Sequence, residues 1–258
     1  MVNPPVMPLI RQDPLRGAWL ARRLKPVHIR LFARLGSTNR TAAALLEQRR
    51  IAAPALVAAS RQTAGRGQRA NRWWSDAGSL CATFVLPAAN RPIGQVPLRA
   101  GLAVAAVLAR HLPASRIQLK WPNDVLVEGA KIAGLLCMRV RGADLIGIGL
   151  NVCTDLRRAP AEVRARATAM VRHMRHPPRR DLLLEDLWHA LGAAMEAEDW
   201  QEAFARRHAL NGERVRVEED GAFRNGVCRG VDAEGRLLLE DARGLHACTS
   251  GAVFFAST

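Results

Sequence analysis

The chain has 258 residues, 49% of them hydrophobic, and a formal net charge of +15. That length holds one large core and a small second unit. No apolar run reaches the roughly 18 residues that span a bilayer, and the stretch 1–20 is too broken by proline and charge for a secretory signal, so the expectation is a cytoplasmic protein. Five cysteines, Cys81, Cys137, Cys153, Cys228 and Cys248, form no Cys-x-x-Cys pair, which argues against a disulfide framework or a zinc knuckle. The positive charge is spread along the chain, crowding only between Arg157 and Arg180 without interleaved aromatics. Most of it reads as a solvated arginine-rich surface, with the remainder available to attract acidic ligands or partners.

In chain order, residues 1–26 are a proline-interrupted extension with a short helix from Pro14 to Leu24. Residues 27–32 alternate as a strand, and Ser37 or Thr38 is a good N-cap for the alanine-rich helix running to about Arg50. Ala55 to Ser60 is a buried strand. It opens into a loop, Arg61-Gln62-Thr63-Ala64-Gly65-Arg66-Gly67-Gln68-Arg69-Ala70-Asn71-Arg72-Trp73-Trp74, whose main-chain N–H groups and guanidinium forks suit phosphate, or which is an ordinary surface turn. Residues 79–87 are the next strand, and Gln95 to Leu112 an apolar helix made to lie on a sheet.

Strands follow at 116–120, 124–127, 132–140 and 145–152. In the last, Gly147 and Gly149 leave one face bare for a ligand or another backbone. Residues 153–180 read as a polar, arginine-rich connection in which His173 and His176 lack a third metal ligand. Two helices, 181–198 and 201–209, complete a domain spanning 27–210. Beyond Asn211-Gly212 the pattern changes to short strands cut by turns, predicting a small β-barrel over 211–258.

Lysine usage singles out one stretch. Only three lysines occur, Lys25, Lys120 and Lys131, against 35 arginines. Two of the three flank Trp121-Pro122-Asn123-Asp124, so those positions call for a compact point charge where a planar fork would not serve. The plain alternative is a hairpin with a polar turn.

With Ser37-Thr38-Asn39, Gln62, Ala64-Gly65-Arg66-Gly67, Trp73, Lys120-Trp121-Pro122-Asn123-Asp124, Lys131-x-Ala133-Gly134, Gly147-Ile148-Gly149-Leu150-Asn151 and the segment Arg229 to Leu239 in order, the chain resembles the biotin protein ligases. The resemblance implies an α+β fold: a mixed sheet with flanking helices, like that of class II aminoacyl-tRNA synthetases, followed by an SH3-like β-barrel. It implies an enzyme that makes biotinyl-5′-AMP from biotin and MgATP and passes biotin to a lysine of the biotin carboxyl carrier protein of acetyl-CoA carboxylase.

The same resemblance assigns roles. Lys131 would bridge the biotin carboxylate and the α-phosphate, and Arg66, Gly67 and the following loop would close over the adenylate. Ser37, Thr38, Asn39 and Gln62 supply neutral hydrogen bonds for biotin. Asp124 would bind magnesium or orient the carrier lysine, and Asn123 would brace that neighbourhood. Gln68, Arg69, Trp73, Lys120, Trp121, Asn151 and Arg229 fall to the ATP side, where Trp121 either faces the nucleotide or packs. A homodimer through the central sheet, at strands 132–152, is a further expectation.

Two departures stand out. Gln68 and Ala70 occupy positions where many members carry arginine and glycine. Only 36 residues precede Ser37, which predicts a ligase without a winged helix-turn-helix and without specific DNA binding. A lipoate or octanoate ligase of the same fold and a biotin-sensing repressor are the competing readings; the complete Lys-Trp-Pro-Asn-Asp run weighs against the first and the lack of a recognition helix against the second.

Overall fold

A computed structural model describes residues 13–68, 71–219 and 221–255. The first twelve residues, Arg69 and Ala70 therefore lie outside the described residues. Seven strands form the main sheet: β1 (His28–Phe32), β2 (Ala55–Ala59), β3 (Ser79–Pro87), β4 (Ile117–Lys120), β5 (Asp124–Val127), β6 (Ala130–Val140) and β7 (Ala143–Asn151). Their order is β1-β2-β3-β7-β6-β5-β4. Only β1 and β2 run parallel and every other pairing is antiparallel, so the sheet is mixed.

Alternation along the central strands sorts side chains to two faces. Leu56, Ala58, Leu80, Ala82, Phe84, Ile146 and Ile148 join the principal core, against α3 (Gln95–His111) and α5 (Arg180–Glu196). Ala55, Val57, Val85 and Leu145 form a second cluster with Ala42, Leu45 and Leu46 of α2 (Thr38–Glu47). Strands β2 and β3, covered on both faces, are almost continuously apolar for that reason.

Three short helices complete the main unit. The first, α1 (Gly17–Arg23), starts later than the predicted Pro14; α4 spans Ala161–Arg164 and α6 spans Trp200–Ala205. Ser37 sits at the N-cap of α2 in an extended conformation but makes no side-chain capping bond. The predicted polar connection over 153–180 is more than that: Leu156, Ala159, Thr168, Ala169 and Met170 are buried in it. Leu156, Ala159 and Ala169 form a small cluster with Trp74, Val163 and Val171, and Met170 joins the principal core. Arg99 and Arg180 are likewise buried, apart from the solvated arginine surface expected for most of the charge.

The C-terminal unit is a five-stranded antiparallel sheet of β8 (Arg214–Glu219), β9 (Ala222–Val231), β10 (Leu237–Asp241), β11 (Gly244–Cys248) and β12 (Ala252–Phe255), ordered β11-β10-β9-β8-β12. Its apolar residues merge with the principal core. The turn between β9 and β10 fastens it: Gln95 Nε2 donates to the Ala233 carbonyl at 2.6 Å and Trp121 Nε1 to the Gly235 carbonyl at 3.0 Å.

Candidate active site

One row of residues crosses five strands of the main sheet. Cys81 pairs with Gly149, Gly149 with Gly134, Gly134 with Asp124 and Asp124 with Lys120. Directly opposed residues of antiparallel strands point to the same face, so this row presents a thiol, two bare glycines, a carboxylate and an ammonium side by side. The neighbouring row places Thr83 opposite Gly147 and Gly147 opposite Leu136. Both rows lie on the α2 face, beyond the N-terminus of that helix.

A β-bulge delivers the second ammonium. Val125 pairs with Ala133 but Leu126 pairs with Lys131, leaving Ile132 without a partner across the ladder. An unbroken ladder would oppose Lys131 to Val127 and send its side chain to the other face; the extra residue turns it onto the face of Asp124. Lys131 Nζ lies 2.5 Å from Asp124 Oδ1. The backbone of Lys131 is pinned from its other side, its N–H donating to the Arg166 carbonyl at 2.8 Å and its carbonyl accepting from Thr168 N–H at 2.9 Å.

The glycine face is occupied. A Cβ on Gly147 would stand 2.2 Å from Asn39 Oδ1, and one on Gly149 would stand 2.3 Å from Trp73 Cε2. Asn39 and the Trp73 indole thus use the space that the alternating glycines provide. Trp73 also reaches over Gly134, where it meets Lys131, whose Nζ is 5.9 Å from the ring centroid. The indole N–H of Trp73 is buried with no acceptor among the described residues.

Neutral groups fill the α2 end. Gln62 Oε1 accepts from Thr38 N–H at 2.7 Å and from Thr38 Oγ1 at 3.2 Å. The Thr83 hydroxyl lies 2.9 Å from Thr38 Oγ1 and 2.5 Å from Asn39 Oδ1, and Asn39 Nδ2 donates to the Leu136 carbonyl at 2.8 Å. Ser37, Thr38, Asn39 and Thr83 are all buried. Beside them, burial pushes the Cys81 thiol up to about 11, so it stays neutral near pH 7.

At the opposite end of the row, burial holds the Lys120 ammonium below the usual lysine range; Asp124 opposes that effect, and Lys131 and Arg166 add to it. Lys120 Nζ also sits 5.6 Å from the ring centroid of Phe255 on β12. One end of the site is therefore uncharged and hydrogen-bonding, and the other gathers cations around a single aspartate.

Two family models match the chain. Residues 31–155 fit the model of the biotin/lipoate A/B protein ligase family, and residues 211–256 that of the biotin protein ligase C-terminal domain. The chain is 31% identical over 256 residues to the biotin–[acetyl-CoA-carboxylase] ligase of Mycobacterium tuberculosis, covering 93% of this chain and 91% of the relative. The chain belongs to the biotin protein ligase family. The ligase of the same name from Paracoccus denitrificans is 32% identical over 87% of this chain and 99% of its own. The fold is that of the Aquifex aeolicus biotin protein ligase solved with biotin and ATP, with a TM-score of 0.77 at 23% identity over 89% of this chain and 99% of that one.

Within this ligase, the site residues expected from the sequence fall in several places. Ser37, Thr38, Asn39, Gln62, Trp73, Lys120, Asp124 and Lys131 converge around the glycine face. Arg66, Gly67 and Gln68 lie on the loop above, closed by the Arg66–Arg72 bridge and by Gly67 N–H donating to the Asn71 carbonyl at 2.8 Å. Asn123 does brace the turn, its Nδ2 donating to the Leu135 carbonyl at 2.6 Å.

Three residues placed on the ATP side are engaged elsewhere. Trp121 is 2% exposed and bonded to the turn between β9 and β10, so it packs and offers no face to a nucleotide. Asn151 is buried and spends its amide on the Thr168 carbonyl at 3.0 Å. Arg229 is paired with Glu240. Arg69 lies outside the described residues. Strands 132–152 have no free edge, because β7 sits between β3 and β6 and β6 between β7 and β5; sheet-to-sheet association would have to use β1 or β4, or a face. Thr83, which ties Thr38 to Asn39, was missed, although a lone threonine in the strand Cys81-Ala82-Thr83-Phe84-Val85 is a polar signal in an apolar run.

Proposed function

We propose that this ligase activates biotin at Lys131 and hands it to a carrier lysine beside Asp124. It is an ATP-dependent enzyme that forms biotinyl-5′-AMP and pyrophosphate from biotin and MgATP. It then transfers the biotinyl group to a lysine of the carrier protein of acetyl-CoA carboxylase. The observation that carries this reading is the polarity of the sheet row: uncharged hydrogen-bonding groups at the α2 end, suited to a ureido ring, and Lys131 with Lys120 at the other end.

The first step brings a carboxylate oxygen to the α-phosphorus and expels pyrophosphate, so two anionic groups must approach in line. Lys131 screens that repulsion and stabilises the charge on the α-phosphate oxygens as it builds. Its pairing with Asp124 keeps it aimed there before substrates arrive. Arg66 and the loop above close over the adenylate and keep water from the mixed anhydride. In the second step the carrier amine attacks the anhydride carbonyl and AMP leaves; Asp124 orients that amine and accepts its proton.

Magnesium enters with ATP. Among the described residues no three His, Cys, Asp or Glu side chains are grouped as a metal cage; Asp124 is the carboxylate that would hold the ion beside the phosphates, as the alternative to its role with the carrier amine. In the same reading, residues 27–210 are the catalytic domain on a class II synthetase-like scaffold, 211–258 an SH3-like unit, and the protein works in the cytoplasm. No described helix is long and apolar enough to cross a membrane. Specific DNA binding has no part in this account, and a gel shift at physiological salt checks that.

The test is the mass of a purified carrier domain after incubation with enzyme, MgATP and either biotin or lipoate. A gain of one biotinyl group on the carrier lysine is expected. Gain with lipoate alone would move the protein to the lipoate ligases, and biotin binding without transfer would make it a sensor.

A further inference from the structure

The loop that carries Gln62, Arg66, Gly67 and Trp73 leaves β2 at Ser60 and re-enters the sheet at Ser79. Both ends are held by one side chain far away in sequence. Arg180, the first residue of α5, is 4% exposed. Its Nη1 donates to the Ser60 carbonyl at 3.2 Å and to the Ser79 carbonyl at 3.0 Å.

The rest of the guanidinium is given to Asp13. Nε donates to Asp13 Oδ1 at 2.8 Å and Nη2 to the Asp13 carbonyl at 2.8 Å, while the Arg180 backbone N–H donates to Asp13 Oδ2 at 2.7 Å. The next residue, Asp181, is fully buried and accepts from Arg16 and Arg179, so the 13–16 segment is fastened to α5 twice.

A buried guanidinium is unfavourable unless its donors are used, and its rigid fork can join several acceptors in one fixed geometry, as a lysine cannot. Here the acceptors are the two stems of one loop and a third chain segment. Fixing the stems removes most of the freedom with which the loop's ends could separate, and so restricts the loop to arrangements that lie over the glycine face.

We propose that Arg180, oriented by Asp13, is a positioning residue that clamps both stems of the 61–78 loop and thereby sets how well that loop retains the adenylate. The second half of this statement rests on the role given to the loop above; the first half does not.

The experiment compares Arg180→Lys, Asp13→Asn and Leu187→Ala, the last removing a fully buried side chain from the same helix. Trypsin cleavage after Arg66 in the ligand-free enzyme reads loop anchoring, thermal melting confirms folding, and the half-life of enzyme-bound biotinyl-5′-AMP reads retention. Arg180→Lys is expected to raise cleavage after Arg66 about tenfold, as local opening without global unfolding does, and to shorten adenylate retention by a similar factor. Asp13→Asn should do both less strongly, and Leu187→Ala should lower the melting temperature without selective cleavage.

Unchanged cleavage in folded Arg180→Lys and Asp13→Asn would overturn the clamp, as would equal cleavage in Leu187→Ala. If Arg180→Lys does not fold, Asp13→Asn decides by the same criterion. Faster cleavage with unchanged retention would uphold the clamp of the stems and remove its effect on the adenylate, which locates the failure in the role assigned to the loop.

Discussion

Lys131 Nζ stands 2.5 Å from Asp124 Oδ1 because a bulge at Ile132 turns the lysine onto the carboxylate's face of the sheet. In the proposed mechanism the pair joins the two halves of the reaction, the lysine serving the activation step and the aspartate the transfer step. Asp124→Asn keeps the shape and removes the charge and the proton acceptor. Single-turnover transfer from preformed adenylate to the carrier should slow about 100-fold, the lower range for loss of a general base, while biotin binding changes little.

The glycine face makes a second demand. Gly147→Ala would force a methyl to 2.2 Å from Asn39 Oδ1, breaking the Asn39 bonds to Leu136 and Thr83. Overpacking of this kind costs about 1–3 kcal/mol. Both the urea midpoint and biotin affinity should fall, the latter about tenfold, by calorimetric titration.

Gln68 stands in the loop proposed to close over the adenylate, at a position where the family resemblance leads to an expectation of arginine. Gln68→Arg adds a permanent guanidinium fork near the phosphate side. Release of biotinyl-5′-AMP from the variant should be several-fold slower, as measured by trapping released adenylate. An unchanged release rate would remove Gln68 from the site.

A buried histidine sets an acid limit. His208 is 7% exposed, both ring nitrogens lack partners among the described residues, and it lies 4.8 Å from Phe204, centroid to centroid. Burial pulls it down to about 4 from the ordinary value of 6.5. The unfolded chain then takes up a proton below pH 6.5 that the folded chain refuses until about pH 4, so stability drops across that window as pH falls, by up to about 3 kcal/mol. Urea midpoints measured from pH 7 to pH 4 should show the drop, and His208→Phe should flatten it.

Much of this was legible in advance, for reasons that differ by element. Strands β4 to β7 and helix α3 announce themselves because long apolar runs and the rare lysines fall in sequence order. The alternation Gly147-Ile148-Gly149 predicted an open face, but nothing local could say that Asn39 and Trp73 fill it, since they arrive from 76 to 108 residues upstream along the chain.

The bulge at Ile132 was equally hidden, because register is fixed by pairing across strands and leaves no local signature. Trp121 could not be assigned between facing the nucleotide and packing, because only its distant N–H bond to the Gly235 carbonyl decides for packing. Arg180 was invisible among many arginines, since burial of a charged residue is decided by its distant acceptors and not by its neighbours in sequence.

Lys131 carries the activation step in the proposed mechanism. Biotin-dependent exchange of labelled pyrophosphate into ATP isolates that step from transfer. Lys131→Gln should lose exchange by at least about 1000-fold, the scale of removing a charge that stabilises the transition state, while calorimetry still detects weakened biotin binding. Exchange at the unmodified enzyme's rate in the folded variant would contradict the assignment outright.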